Sequence, residues 1–204
     1  MGSYCCMLRH SLSMKFRDTR NAREETKLLN KMLDFDWEHN YERIMVRLTN
    51  DFGEFLTPQA SHVLICEFVR FMFLNYWNIA RLKHESIPPR RYQVGNTEVN
   101  SYYGLTAPIY IDQVWLLLLH TKKYEEFWNQ FFGNYVQRRD PLTKSSKSLK
   151  YWYQQTLTLL MEYEDVLTPF HNFWNAYDFD SYTDDYNNTA FLPLTDLYKL
   201  ITTK

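Results

Sequence analysis

Residues 110–133 read YIDQVWLLLLHTKKYEEFWNQFFG. Val114, Leu117, Tyr124, Phe127 and Phe131 recur at helical spacing and make one apolar stripe. Asp112, Leu116, Leu119, Lys123, Glu126 and Gln130 fall on the opposite side, where two leucines interrupt a face that should be wetted. Either another segment of the chain or a partner covers them. Pro108 suits the start of this helix, and Gly133 suits its end, where the left-handed backbone penalises a Cβ. Asp112 in the first turn can accept from free backbone N–H groups and complement the helix dipole. The stretch therefore predicts one capped helix from Pro108 to Gly133.

The rest of the chain follows the same pattern. Leu28, Leu29, Met32, Leu33 and Phe35 suit a short helix, and Trp37, Tyr41, Ile44, Met45 and Leu48 a second, with a turn around Asp34 to Asp36. Thr57-Pro58 reads as an N-cap before a helix carrying Val63, Leu64, Phe68, Phe71, Met72, Tyr76, Ile79 and Ala80, with a narrow polar strip of Glu67, Arg70, Asn78 and Arg81. Most of its circumference is expected to be buried, which makes it the central core helix. Ile87-Pro88-Pro89 closes it. Arg90 to Ala107 shows neither period and reads as a long loop. After Asp140-Pro141, a helix is expected over 145–164, then a short aromatic segment from Thr168-Pro169 through Phe170, Phe173 and Trp174, and an amphipathic turn over 194–201.

Composition favours the same class. With 5 Gly and 7 Pro in 204 residues, the chain lacks the turn residue at about every eight to twelve positions that a sandwich or barrel requires. Its 16 Tyr, 14 Phe and 6 Trp are the wrong composition for a disordered chain. The expected fold is all-α, an irregular bundle of about five to seven helices with long connecting loops. Residues 1–23 form a basic arm without apolar period, and 24–204 form a single helical domain ending in an acidic aromatic segment over 165–204.

The formal charge of −1 provides no global field to capture nucleic acid, and none is expected as a partner. Charge is nevertheless uneven. Five basic residues and one acid precede Glu24, whereas Tyr151 to Tyr198 holds eight acids and no Lys or Arg. Cys5, Cys6 and Cys66 do not suggest a disulfide framework, which implies a reducing compartment. The charge-free leucine-rich stretch 113–121 is under half of the ~20 residues needed to cross a bilayer, and no membrane-spanning helix is expected.

The run Pro108, Ile111-Asp112-Gln113-Val114-Trp115, Leu119, Thr121, Tyr124, Phe132-Gly133 and Asp140-Pro141 resembles the glycine-rich domain-containing protein-like family. That family shows a Pro, a Val-Asp-x-x-Trp and a Thr-x-x-Tyr in one helix. Tyr151, Thr156, Leu157 and Trp174, and the region from Phe68 to Tyr76, extend the similarity to about residues 55–175. The resemblance implies a helical domain and marks Pro108, Asp112, Trp115, Thr121, Tyr124 and Gly133 as its structural motif. In the family Trp is followed by His-x-His, a later aromatic slot is often Cys, and His precedes Asp-Pro. This chain has Leu116, Leu118, Trp128, Arg138 and Arg139 in those places, and no glycine-rich segment. Side chains without donor lone pairs do not ligate metals, so neither a metal nor a cofactor is expected.

No phosphate loop, nucleophile elbow or Cys–His signature is present, and His62 with Cys66 provides only two ligands of one helix face, read as a core pair. Paired acids such as Asp34/Asp36, Glu125/Glu126 and Asp184/Asp185 read as solvated faces. The expected function is a non-catalytic helical protein–protein interaction or scaffold module whose partner is another protein. Leu116, Leu119, Arg90, Arg91, Tyr92, Arg138 and Arg139 are the partner-binding candidates. A second reading is a peripheral membrane protein: Met1-Gly2 with Cys5 and Cys6 places glycine for myristoylation and cysteines for palmitoylation, with basic residues behind, although Cys6 stands where the motif carries Ser or Thr. A third is an enzyme with an unrecognised site. The cytoplasm is the expected location; under the second reading the membrane surface is reached through the N-terminus. An Arg- and Ser-bearing arm is also the composition of an organellar presequence.

Overall fold

The computed structural model describes residues 22–37, 58–139 and 146–169, together with Val46 and Trp174. Helix α1 (Ala22–Leu33) carries Glu24 and Glu25 in its first turn and Lys31 in its last, each matched to the dipole at its end. Its buried side includes Leu29 and Met32. Helix α2 (Pro58–His84) is the core helix: Leu64, Ile65, Phe68, Val69, Phe71, Met72, Phe73 and Leu74 are all buried. By length and composition, its His62–His84 portion could cross a membrane, but 67% of its most apolar window is buried within the fold. Such burial is that of a core helix. Trp37, beyond α1, is buried edge-on against Phe35 (4.8 Å) and Phe68 (5.9 Å), coupling the two helices.

The next segment overturns the all-α expectation. Residues read as a long loop form strands β1 (Arg90–Val94) and β2 (Thr97–Tyr103), an antiparallel hairpin with Arg90 opposite Ser101 and Val94 opposite Thr97. Gly95 and Asn96 are the two loop residues. Gly95 has φ +58° while Asn96 is outside the left-handed region, the arrangement in which glycine takes the first central position of a type II′ turn. Strand β3 (Tyr135–Gln137) then pairs parallel with β2, giving the order β1-β2-β3 in a three-stranded mixed sheet. The molecule is helix-rich α/β.

Helices α3 (Ile109–Leu118) and α4 (Lys122–Phe131) form the crossover that a parallel β2–β3 pair requires. The expected single helix is therefore broken. Thr121 is the reason: its backbone is extended, its hydroxyl accepts from Tyr124 N–H at 3.1 Å and donates to Leu118 O at 2.7 Å. One side chain thus caps both helix ends. Gly133, with φ +64°, ends α4 and donates its N–H to Trp128 O. Helix α5 (Ser146–Glu162) packs on α2, and the short α6 (Glu164–Leu167) contacts α1 and α5. The expected helix over 37–48, the Asp140-Pro141 break, the basic arm and nearly all of the acidic aromatic end lie outside the described residues.

Candidate functional site

The motif residues converge at the corner where α3, α4 and β3 meet. Asp112 is buried at the start of α3, and its carboxylate accepts from Arg138 Nε at 2.7 Å and Nη2 at 2.6 Å. The side chains are 3% and 10% exposed, so this is a bidentate pair largely withdrawn from water. Asp112 thus reaches across to the residue after β3 rather than only complementing its own helix.

Trp115 Nε1 donates to the Tyr124 hydroxyl at 2.9 Å, and that hydroxyl donates to Val136 O at 2.8 Å. A single relay therefore ties α3 to α4 and α4 to β3. Burial, reinforced by the neighbouring Tyr135 phenol and opposed by the Trp115 N–H, holds the Tyr124 phenol well above its ordinary pKa. Gly104 completes the corner. A Cβ there would stand 2.6 Å from Trp115 Cη2 and 2.8 Å from Asn75 Oδ1, so only glycine fits. The same Asn75 oxygen accepts from Leu105 N–H at 2.7 Å.

Arg139 follows Arg138 but occupies a different environment. It is 8% exposed, its Nε donates to Gly104 O at 2.6 Å, and its guanidinium lies 3.9 Å from the Trp152 ring centre and 5.0 Å from that of Tyr103. Arg90 approaches the same Tyr103 ring at 5.5 Å. Burial first, and the Arg90 charge with it, pull the Arg139 pKa down to about 10 against the influence of Tyr103.

Of the expected partner-binding residues, Arg138 and Arg139 are thus engaged inside the chain. Leu116 is exposed, while Leu119 is half-buried against the core, so the two do not form one open leucine face. Arg90, Arg91 and Tyr92 come together on β1. Arg91 is exposed and meets Glu98 at 3.3 Å, while Tyr92 is half-buried and stacks on Tyr135 with ring centres 5.4 Å apart. Gly2, Cys5 and Cys6 lie outside the described residues.

The pair His62 and Cys66, expected in the core, sits at the surface side of α2: His62 is exposed, with its Nε2 3.5 Å from the thiol. Burial pushes the Cys66 thiol up against the lowering influence of the Arg70 charge, and the Glu67 carboxylate adds to the rise. That is opposite to the activation a nucleophilic cysteine needs. Among the described residues no group of three or more His, Cys, Asp or Glu could hold a metal ion. Glu67 serves the fold, accepting from Arg70 Nη1 and Trp174 Nε1, each at 2.7 Å.

The sheet has one feature that sequence reasoning missed. Among the described residues β1 pairs on one side only, with β2, and Arg90, Arg91, Gln93 and Val94 are exposed. Residues flanking a two-residue hairpin loop exchange their backbone hydrogen bonds, so Val94, Tyr92 and Arg90 bond inward to β2, and Arg91 and Gln93 turn theirs outward. The signal lay in Gly95-Asn96 between alternating Tyr92/Val94 and Thr97/Val99. No family model, no curated protein and no solved structure matches this chain.

Proposed function

We propose that the chain is a non-catalytic interaction module that takes up an extended segment of another protein along the outer edge of β1. The observation that carries this reading is the exposed strand Arg90–Val94, which among the described residues is bonded on one side alone, to β2. Outward N–H and C=O groups at Arg91 and Gln93 are a template for one more strand. Arg90 and Arg91 give the edge a preference: a second copy of β1 would bring like charges together, whereas an acidic segment is attracted. The likeness to the glycine-rich domain-containing protein-like family belongs to the same proposal. The residues that carry it tie the corner together, so what would be shared is a framework that holds the hairpin.

Gln93→Pro tests the edge. Proline removes the outward N–H of residue 93 and leaves the β1–β2 ladder intact, so thermal unfolding should stay near wild type while partner capture is lost. Proteins recovered with wild type and with Gln93→Ala, but not with Gln93→Pro, are the expected result. Equal recovery by all three rejects strand addition at this edge. Tyr92→Pro, which removes an inward N–H, is the contrasting variant that disrupts the hairpin itself.

A further inference from the structure

We infer that Arg139 and Arg90, brought to one ring of the sheet, form a binding site for a phosphoryl oxyanion. Arg90 on β1 and Arg139, two residues beyond β3, bring their guanidinium groups to 5.5 and 5.0 Å from the Tyr103 ring centre. Arg139 is more than nine-tenths buried, yet Nε is its one nitrogen with an acceptor among the described residues, the Gly104 carbonyl. No carboxylate among the described residues acts on its charge, whose electrostatic neighbours are Tyr103 and a second cation, Arg90. A buried cation facing another cation is costly, and its neighbour Arg138 avoids that cost through Asp112.

The side chain is also held for use. Trp152 at 3.9 Å and the Gly104 bond fix the guanidinium plane, which leaves the terminal nitrogens oriented without further ordering. One fixed and one exposed positive charge together match a phosphate monoester, which carries about −1.5 to −2 near neutral pH and has several acceptor oxygens. A monovalent carboxylate satisfies one guanidinium and leaves the other uncompensated. The site shares the charge of Arg90 with the outer edge of β1 but uses none of the outward backbone groups of Arg91 and Gln93.

Arginine-labelled full-length protein, followed through its Nε–H resonances by NMR, provides the test. Titration with inorganic phosphate should move the Arg139 signal, identified by its loss in Arg139→Lys, to saturation, whereas sodium chloride at equal ionic strength should not. Arg90 is exposed, so Arg90→Gln should unfold at the wild-type temperature while weakening phosphate binding about ten-fold through loss of one charge-assisted contact. A phosphoserine tripeptide distinguishes the source: tighter binding than free phosphate assigns the group to a protein, and equal binding to the free ion. No saturable phosphate shift overturns the site, as does unchanged affinity in Arg90→Gln or acetate binding as tightly as phosphate.

Discussion

Tyr124 and Tyr92 both lie against Tyr135, with ring centres 5.9 and 5.4 Å away, yet they belong to regions built on opposite terms. Tyr124 sits in the corner of α3, α4 and β3, where its hydroxyl and the Trp115 N–H are spent on internal bonds. Tyr92 sits on a hairpin whose outer strand is exposed to solvent. Buried polar groups demand partners, so the corner tolerates few substitutions. An exposed edge satisfies its backbone with water, so the hairpin can exchange water for a partner strand.

The contrast is most easily broken at Asp112. Asp112→Asn leaves the Arg138 guanidinium without its carboxylate in a place 10% exposed, and should cost about 3–5 kcal/mol in denaturant unfolding. Replacing both partners, Asp112→Leu with Arg138→Met, should recover much of that loss, because the penalty comes from a buried charge that has lost its carboxylate rather than from the missing attraction. A near-neutral Asp112→Asn would show that the corner is no more constrained than the hairpin.

Next in size is the relay. Tyr124→Phe removes the acceptor of Trp115 Nε1 and the donor to Val136 O, and should cost about 1–3 kcal/mol. The same interior sets the alkaline limit. Burial raises Tyr135 and Tyr124 strongly and pushes Tyr153 up to about 12, so the folded state favours their protonated phenols. That stability is complete below the ordinary tyrosine value of about 10 and is lost as pH rises through the folded values. Phenolate absorbance from these buried rings should therefore appear together with loss of helical circular dichroism, and its appearance in a fully helical protein would contradict the burial.

The helices were legible because their apolar residues recur at helical spacing over long runs: α2, with its buried Phe68, Phe71, Met72 and Ile79, follows the pattern directly. The sheet was not. β1 is a largely exposed strand whose apolar face is just Tyr92 and Val94, and β3 has three residues, too few to show a period of two. Its existence depends on β2 meeting β3 through a crossover of more than thirty residues, which no local window contains. The candidate site divides the same way. Asp112, Trp115, Thr121 and Tyr124 stood out as a motif, but their partners Arg138 and Val136 are distant in sequence, so the motif could be seen and its structural use could not. Arg139 was singled out for the residue type it lacks, whereas its position between two rings follows only from the fold.

In the hairpin the expected effects are smaller. Gly95→Ala meets open space, so its cost is confined to holding a Cβ at φ +58°, about 1–2 kcal/mol. Smallest of all is the Arg91–Glu98 pair, 3.3 Å apart with side chains 84% and 56% exposed. Arg91→Gln, Glu98→Gln and the double variant should give a coupling energy of about 0.2–1 kcal/mol that shrinks as salt is added. A larger, salt-insensitive coupling would mean that β1 is shielded from water, and the outer edge would then be unavailable to a partner strand. Weak, screened coupling is what a strand exposed to solvent on its outer side requires, because the charges that attract an acidic segment must not already be committed to each other.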